Sequence, residues 1–481
     1  MSNKTTKGLM LRSVEGVLMQ IAQFALQMVL ARILMPEDFG VIAILNTFIN
    51  LANTMVNSGL SSALLQKKQI SHEDICTVFY IEFGMAVAMY SVIYFAAPMI
   101  SGFYENPNLT EYLRIFSLSI VLGGASSIQL TVSRHRLDFK PSLIASTAAV
   151  IVQAITGVAM ALNGFGVWSL ILPQVLYHAV RSCILTALVR WMPSFTFSVQ
   201  SFRSMFSYSW KLFVGWMIGT LYQDAFAWII GKKYDATTLG YYSKGNSIPS
   251  VINRVVTQVT SAVMFPSIAK NQDDLQVVKG QTRLMISVSA ALILPVMAGV
   301  AGAADSLVRI ILTEKWLLSV PVIQIMSIPL ALNVISNANM QSFNAIGRSD
   351  LFMKFEMIKR SATIIMVIVC MNIDYYLMLA SIGAGGILSL VINAVYNRKL
   401  FDYGYAEYLA DIVPYALFAI ALFLGVVSLN HINANVYVRL LLQLSVCAIA
   451  YFGMIISSGL SGFQAVRQTM LGLLKNRTRN Q

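Results

Sequence analysis

NTFINLANTMVN, residues 46–57, sets asparagine at positions 46, 50, 53 and 57 of an otherwise apolar run. Steps of four, three and four residues keep all four amides on one face of an α-helix. VIAIL runs directly before this stretch and LSSALL follows it, so the helix has the make-up of a membrane span. A row of amides there needs a partner that lipid does not supply.

The rest of the chain has the same character. It has 481 residues, of which 57% are hydrophobic and 11% charged, with a mean hydropathy of +0.68. Soluble domains carry about 25% charged residues. Apolar stretches recur along the whole length, each able to cross a hydrocarbon core of about 30 Å, and the chain reads as an all-α integral membrane protein with little outside the bilayer. Its net charge of +13 is spread over short loops, which argues against a nucleic-acid partner and for a lipid bilayer. Cys76, Cys183, Cys370 and Cys447 lie in or beside apolar runs without paired spacing and read as packing residues. The first span is too long for a cleavable signal and lacks a small-residue cleavage site.

Fourteen transmembrane helices are expected. The first seven lie near 9–34, 39–66, 74–100, 112–133, 142–163, 165–189 and 209–231. The others lie near 241–268, 284–311, 317–345, 355–373, 376–397, 411–430 and 434–457. Lys and Arg concentrate in alternate connections, such as Lys67, Lys68, Arg134, Arg136, Lys140, Lys359 and Arg360. The other side holds mainly Lys232, Lys233, Arg309, Lys315 and Arg439. Positive charge marks the cytoplasmic side, so both termini are expected there. Residues 191–208 and the tail segment GFQAVRQTMLGLLK (462–475) interleave aromatic or apolar residues with polar and basic ones. Both read as helices lying on the inner membrane surface. The tail could alternatively dock a partner.

Residues 20–57 superpose without gaps on 220–257. Gln23 meets Gln223, Gly40 meets Gly240, Asn46 meets Asn246 and Asn53 meets Asn253, while Asn50 meets Ser250 and Gln20 meets Thr220. The polar face recurs and the apolar faces drift. Six spans are therefore read as duplicated, giving lobes at 1–200 and 201–400, two added helices at 401–457 and a basic amphipathic tail at 458–481. An even number of spans per repeat gives both lobes the same orientation, as in parallel-repeat transporters.

The first span adds its own stripe, Gln20, Gln23 and Gln27, and the tenth carries Asn333, Asn337 and Gln341, continued by Asn344. One or two such amides are accounted for as interhelical bonds, each contributing about 0.6 kcal/mol. Whole rows are harder to satisfy in a dry interface, since each orphaned buried amide costs about 1–3 kcal/mol. A water-filled cavity satisfies them, and mixed donors and acceptors suit a ligand rich in hydroxyls, sugars above all. The expected cavity set is Gln20, Gln23, Gln27, Asn46, Asn50, Asn53, Asn57, Gln223, Asn246, Ser250, Asn253, Arg254, Asn333, Asn337 and Gln341. Arg254 lies about 80° off the centre of its stripe, positioned either for a phosphate or for an ion pair with a neighbouring helix. Glu82 and Asp224 are intramembrane carboxylates, able to bind a coupling proton or sodium ion or to pair with Arg254. Arg12 and Glu15 form a second possible pair.

LARILMPEDFGVIAI (30–44), SGLSSALLQKK (58–68), FYENPNL (103–109), RLDFKPS (136–142), NGFGVWSLI (163–171) and LGYYSKGNSIP (239–249) occur in this order. Together they resemble the bacterial polysaccharide and lipopolysaccharide flippases of the multidrug/oligosaccharidyl-lipid/polysaccharide superfamily, near the colanic-acid and teichuronic-acid exporter group. The resemblance covers about the first 400 residues. It implies two six-helix lobes in a V around a cavity and a substrate carried on undecaprenyl diphosphate. It also implies turnover by alternating access in the bacterial inner membrane, and polymerase or export proteins as possible partners. In MPEDFG, Pro36 and Gly40 are expected to shape the turn between the first two spans. Arg254 is the chief basic residue offered to the cavity, fewer than such flippases commonly use.

A drug antiporter of the same superfamily would have a more acidic and aromatic cavity. A peptidoglycan-precursor flippase fits the motif set less well. A membrane-embedded polymerase or ligase would need a larger extramembrane loop, and the connections here carry no paired carboxylates or metal-ligand cluster. No cofactor beyond a coupling H+ or Na+ is expected. A scaffold for export machinery would need no cavity.

Overall fold

Local signals start the helices that the apolar runs extend. Pro36 occupies the first turn of its helix, where its missing N–H costs nothing, and Asp38 accepts from the backbone N–H of Met35 at 2.9 Å. Ser71 and Asp74 exchange hydrogen bonds at 3.0 and 3.2 Å as a capping pair. Asp274 and Asp374 cap two later helices through their first-turn N–H groups.

The structure, a computed structural model, describes residues 3–57, 59–67, 70–270, 274–346 and 349–479. The side chains of 3–15, 17, 18, 208, 211, 259, 261–270, 344, 345, 349–353, 470 and 472–479 lie outside the description. Arg12, Glu15 and the amide of Asn344 are therefore not placed. No strand occurs among the described residues.

Two compact units result, Met1–Ser243 and Lys244–Gln481. The first contains α1 (Asn3–Ile33), α2 (Pro36–Val56), α3 (Leu60–Gln66), α4 (His72–Phe103) and α5 (Leu109–Phe116). It continues with α6 (Leu118–His135), α7 (Lys140–Leu162), α8 (Trp168–Val189), α9 (Val199–Lys233) and the first two turns of α10 (Ala236–Lys270). The second holds the rest of α10, then α11 (Leu275–Gly302), α12 (Ala304–Leu307), α13 (Val320–Ala345) and α14 (Ser349–Cys370). It ends with α15 (Tyr375–Phe401), α16 (Tyr405–Ala410), α17 (Val413–Ser428), α18 (Val436–Ser457) and α19 (Ser461–Arg479).

Ten stretches among the described residues are long and apolar enough to cross a membrane. The other long helices are α1, α9, α10 and α14. The first three carry the amide and hydroxyl stripes, and α14 carries Lys354, Glu356, Lys359 and Arg360. Polar side chains lower hydropathy without shortening a helix.

Several local expectations are corrected. Residues 191–198 form no helix, and 199–208 are simply the start of α9, capped by Ser198. Trp191 is buried beside Phe79 and His72, and the Tyr80 hydroxyl donates to the Ser194 carbonyl at 3.1 Å, so this connection is pinned to α4. The second span is broken: α2 ends at Val56 and Gly59, with φ +81°, starts α3. Gly40 forms no turn. It sits inside α2 at a close crossing, where an added Cβ would run into the carbonyl oxygen of Ala236. Gly240, its repeat counterpart, meets the carbonyl of Pro36 in the same way. Cys183 is exposed, not a packing residue.

The tail does more than lie on a surface. Phe463 is fully buried against Tyr415, Phe418 and Tyr451, and the backbone N–H of Gly462 donates to the Tyr415 hydroxyl at 2.8 Å. Phe463→Ala is expected to cost about 3–5 kcal/mol of docking. In the full-length protein, limited trypsin digestion at Arg467 should then accelerate sharply; an unchanged rate would show that this aromatic does not hold α19.

Beside that dock, a charged network ties α11 to α16 and α17. Arg283 donates to Asp411 at 2.7 Å and to Glu407 at 3.1 Å, and Lys279 meets Glu407 at 2.9 Å. The Tyr403 hydroxyl donates to Asp411 at 2.6 Å. Burial and that carboxylate together push the phenol's pKa well above its ordinary value.

Candidate functional site: an amide-lined cleft between α2 and α9

The asparagine row of α2 faces α9 over its second half. Asn50, Asn53, Thr54 and Asn57 on α2, with Thr220, Gln223 and Asp224 on α9, line a cavity of about 340 Å³. Helical spacing explains the assembly: Thr54 follows Asn50 by one turn, while Thr220 and Gln223 are three apart. The break after Val56 places Asn57 at a helix end, where its Nδ2 donates to the Asn53 carbonyl at 2.8 Å.

Two contacts bridge the helices within the cleft. Thr54 Oγ1 and Thr220 Oγ1 lie 2.9 Å apart, and Asn50 Nδ2 donates to Asp224 Oδ1 at 3.4 Å. The second carboxylate oxygen, Asp224 Oδ2, is buried with no hydrogen-bond partner among the described residues. Further along, the Trp228 indole donates to Thr47. The cleft thus offers amides, hydroxyls and one carboxylate to a small polar ligand.

The other expected residues fall elsewhere. Asn46 is half-buried on α2 and does not line the cavity. On α1, Gln23 donates to Gln153 of α7 at 2.7 Å, an interhelical bond; Gln20 and Gln27 are half-buried on the same helix. In the second unit, Asn253 of α10 donates to the Leu330 carbonyl at 2.7 Å and lies 3.4 Å from Asn333 Oδ1. Asn337 donates to the same Asn333 oxygen at 2.9 Å, so three of the expected amides form one ladder between α10 and α13. Gln341, Asn246 and Ser250 are half-buried, and Arg254 is exposed.

Glu82 is buried in a cage of hydroxyls. Ser61 donates to one carboxylate oxygen at 2.7 Å, Ser127 to the other at 2.6 Å, and Thr131 donates to Ser61 at 3.1 Å. The cage joins α4 to α3 and α6, next to the break that ends α2. Hydroxyls thus hold Glu82, while Asn50 holds Asp224.

Sequence reading missed Gln153, Thr54, Ser61, Ser127 and Lys359. Thr54 was within reach, one turn from Asn50. Lys359 was assigned to a loop by charge counting, yet it is buried and donates to Asn393 Oδ1 at 2.6 Å. Among the described residues, no group of three or more His, Cys, Asp or Glu is arranged to hold a metal.

A second cavity of about 310 Å³ lies at the FYENPNL loop, lined by Tyr104, Glu105, Asn106, Lys232 and Asp235 among others. Lys232 pairs with Glu105 at 3.0 Å and donates to the Phe103 carbonyl at 2.7 Å. Burial pushes the Tyr104 phenol up to about 12.

A family model described as polysaccharide biosynthesis protein matches residues 29–321. The succinoglycan biosynthesis transport protein ExoT of Rhizobium meliloti is 24% identical over 83% of this chain and 80% of its own length. The lipopolysaccharide biosynthesis protein WzxC of Escherichia coli is 23% identical over 69% of this chain and 68% of its own. Among solved structures, the lipid II flippase MurJ in an inward closed conformation superposes with a TM-score of 0.71. At 16% identity it covers 92% of this chain and 98% of the flippase, a likeness of fold.

Proposed function

We propose, since this chain belongs to the polysaccharide biosynthesis protein family, that it turns undecaprenyl-diphosphate-linked oligosaccharide repeat units from the inner to the outer leaflet of a bacterial cytoplasmic membrane. It is a multi-pass membrane protein with a transporter fold, not an enzyme. The observation that carries the finer reading is the cleft. Two helices that correspond in the sequence repeat to neighbouring polar faces bring three asparagines, a glutamine and two threonines around one cavity. Such a set exchanges hydrogen bonds with sugar hydroxyls in either direction. Alternating access would expose it first to one leaflet and then to the other. An H+ or Na+ gradient would act through Glu82 or Asp224, the carboxylates at and beside the cleft. Both termini then lie in the cytoplasm, with polymerase or export proteins receiving the product.

Leucine at Asn53 or at Thr220 fills the cleft and removes its polarity. In a host lacking the wild-type copy, each variant should lower surface polysaccharide at least about tenfold, equivalent to about 1.4 kcal/mol, with the protein still present in the membrane. Normal polymer from both variants at normal abundance would take the cleft out of the transport path.

A further inference from the structure

We infer that the α2–α9 cleft selects its sugar by charge, accepting a neutral or amine-bearing ring and turning away an acidic one. This deepens the proposed function and rests on it.

The lining contains one carboxylate and no Lys, Arg or His. What its polar groups still have to offer follows from the bonds they already make. Asn50 commits an amide hydrogen to Asp224, and Asn57 commits one to the Asn53 carbonyl, so each turns its oxygen free. Thr54 donates to the Asn50 carbonyl at 2.9 Å, which leaves Thr220 as the donor in the hydroxyl pair. Both threonine hydrogens are then used, and Thr220 retains only lone pairs. Asp224 Oδ2 is buried and unmatched. Asn53 and Gln223 keep both amide hydrogens, and Asn50 and Asn57 keep one each, among the described residues.

The cleft therefore offers both donors and acceptors to hydroxyls, but the one formal charge in its lining is negative. A sugar hydroxyl brings a hydrogen to such a surface, and an ammonium brings three with a positive charge. A carboxylate or phosphate would face Asp224 with no lining cation between them, and like charges at such short range repel. The same argument excludes the diphosphate of the carrier from these seven side chains. The cleft holds a sugar ring, and the anionic link of the substrate lies elsewhere.

The test uses full-length protein in phosphatidylcholine nanodiscs and calorimetry with three matched probes, the β-1,4-linked trimers of glucose, glucosamine and glucuronic acid. The glucosamine trimer should bind at least about tenfold tighter than the glucose trimer, and the glucuronic acid trimer at least about tenfold more weakly, as expected for one charge-assisted hydrogen bond gained or one repulsion added. Asp224→Asn keeps the shape and removes the charge, so the three affinities should converge to within about threefold. A glucuronic acid trimer that binds as well as the glucose trimer, or a ranking that survives Asp224→Asn, overturns the inference and leaves the proposed function standing. Absence of binding by all three trimers also overturns it; if export is normal in the leucine variants as well, the cleft leaves the transport path altogether.

Discussion

Alanine at Gly40 or at Gly240 will leave little folded protein in the membrane. These glycines occupy equivalent places in the sequence repeat, and each faces the first residue of the other's helix, Ala236 and Pro36 respectively. In both cases the added methyl would meet a backbone carbonyl oxygen. A side chain can rotate out of the way, but a helical carbonyl is fixed by its own hydrogen bonds, so the helices must separate. Overpacking of this kind costs about 1–3 kcal/mol and more where backbone must shift. Each single variant should lose most of the monodisperse peak in fluorescence-detected size exclusion. Ala236→Gly will not rescue Gly40→Ala, because the obstacle is the oxygen and not the methyl. Wild-type yield and melting temperature in both alanine variants would refute the close crossing.

Asn393→Leu is expected to destabilise the second unit by about 3–5 kcal/mol, the cost of stranding a buried charge. Lys359 is 3% exposed and donates to Asn393 Oδ1 at 2.6 Å. Its ammonium also lies 3.4 Å from Ser336 Oγ, 3.5 Å from Met340 Sδ and 3.8 Å from the Glu356 carboxylate. Asn393 in turn donates to Ser336 at 3.0 Å, which aims its oxygen at the lysine. Leucine removes the shortest of these bonds and puts methyl groups in its place. Lys359→Met should behave differently: it keeps the length of the side chain and removes the charge that needs solvation, so its effect should stay within about 1.5 kcal/mol. The double variant should melt well above Asn393→Leu alone. If Asn393→Leu melts like the wild type, or if Lys359→Met fails to rescue it, the pairing does not carry this stability.

How much of this could be read from the chain depends on which physics fixes each feature. The asparagine row of α2 was legible because spacing alone determines which residues share a helical face, and Asn50, Asn53 and Asn57 do share a cavity. Helix existence was legible for the apolar spans and for α1, α9 and α10, where the polar stripe itself shows a helical period. Partners across helices were not legible. Gln23 finds Gln153, and Asn253 finds Asn333 and the Leu330 carbonyl, because of packing choices that no local spacing encodes. Counting charges misplaced Lys359 for the same reason, since position along the chain predicts a side of the membrane but not a buried partner. Residues 191–208 misled through composition: interleaved aromatic and basic residues fit a surface helix, yet Trp191 fills a gap beside Phe79 and the Ser198 cap delays the helix to Val199.

The crossing of Gly40 and Gly240 fixes one end of a lever. Asn50 and Asn57 lie ten and seventeen residues beyond Gly40, about 15–25 Å along the helix axis. With the crossing as fulcrum, a swing of about 10° would move the far end of α2 by about 4 Å, close to the thickness of one sugar ring, while the fulcrum itself stays still. Opening and shutting the cleft by that amount would need no new contacts at the glycines and no sliding of one helix past another.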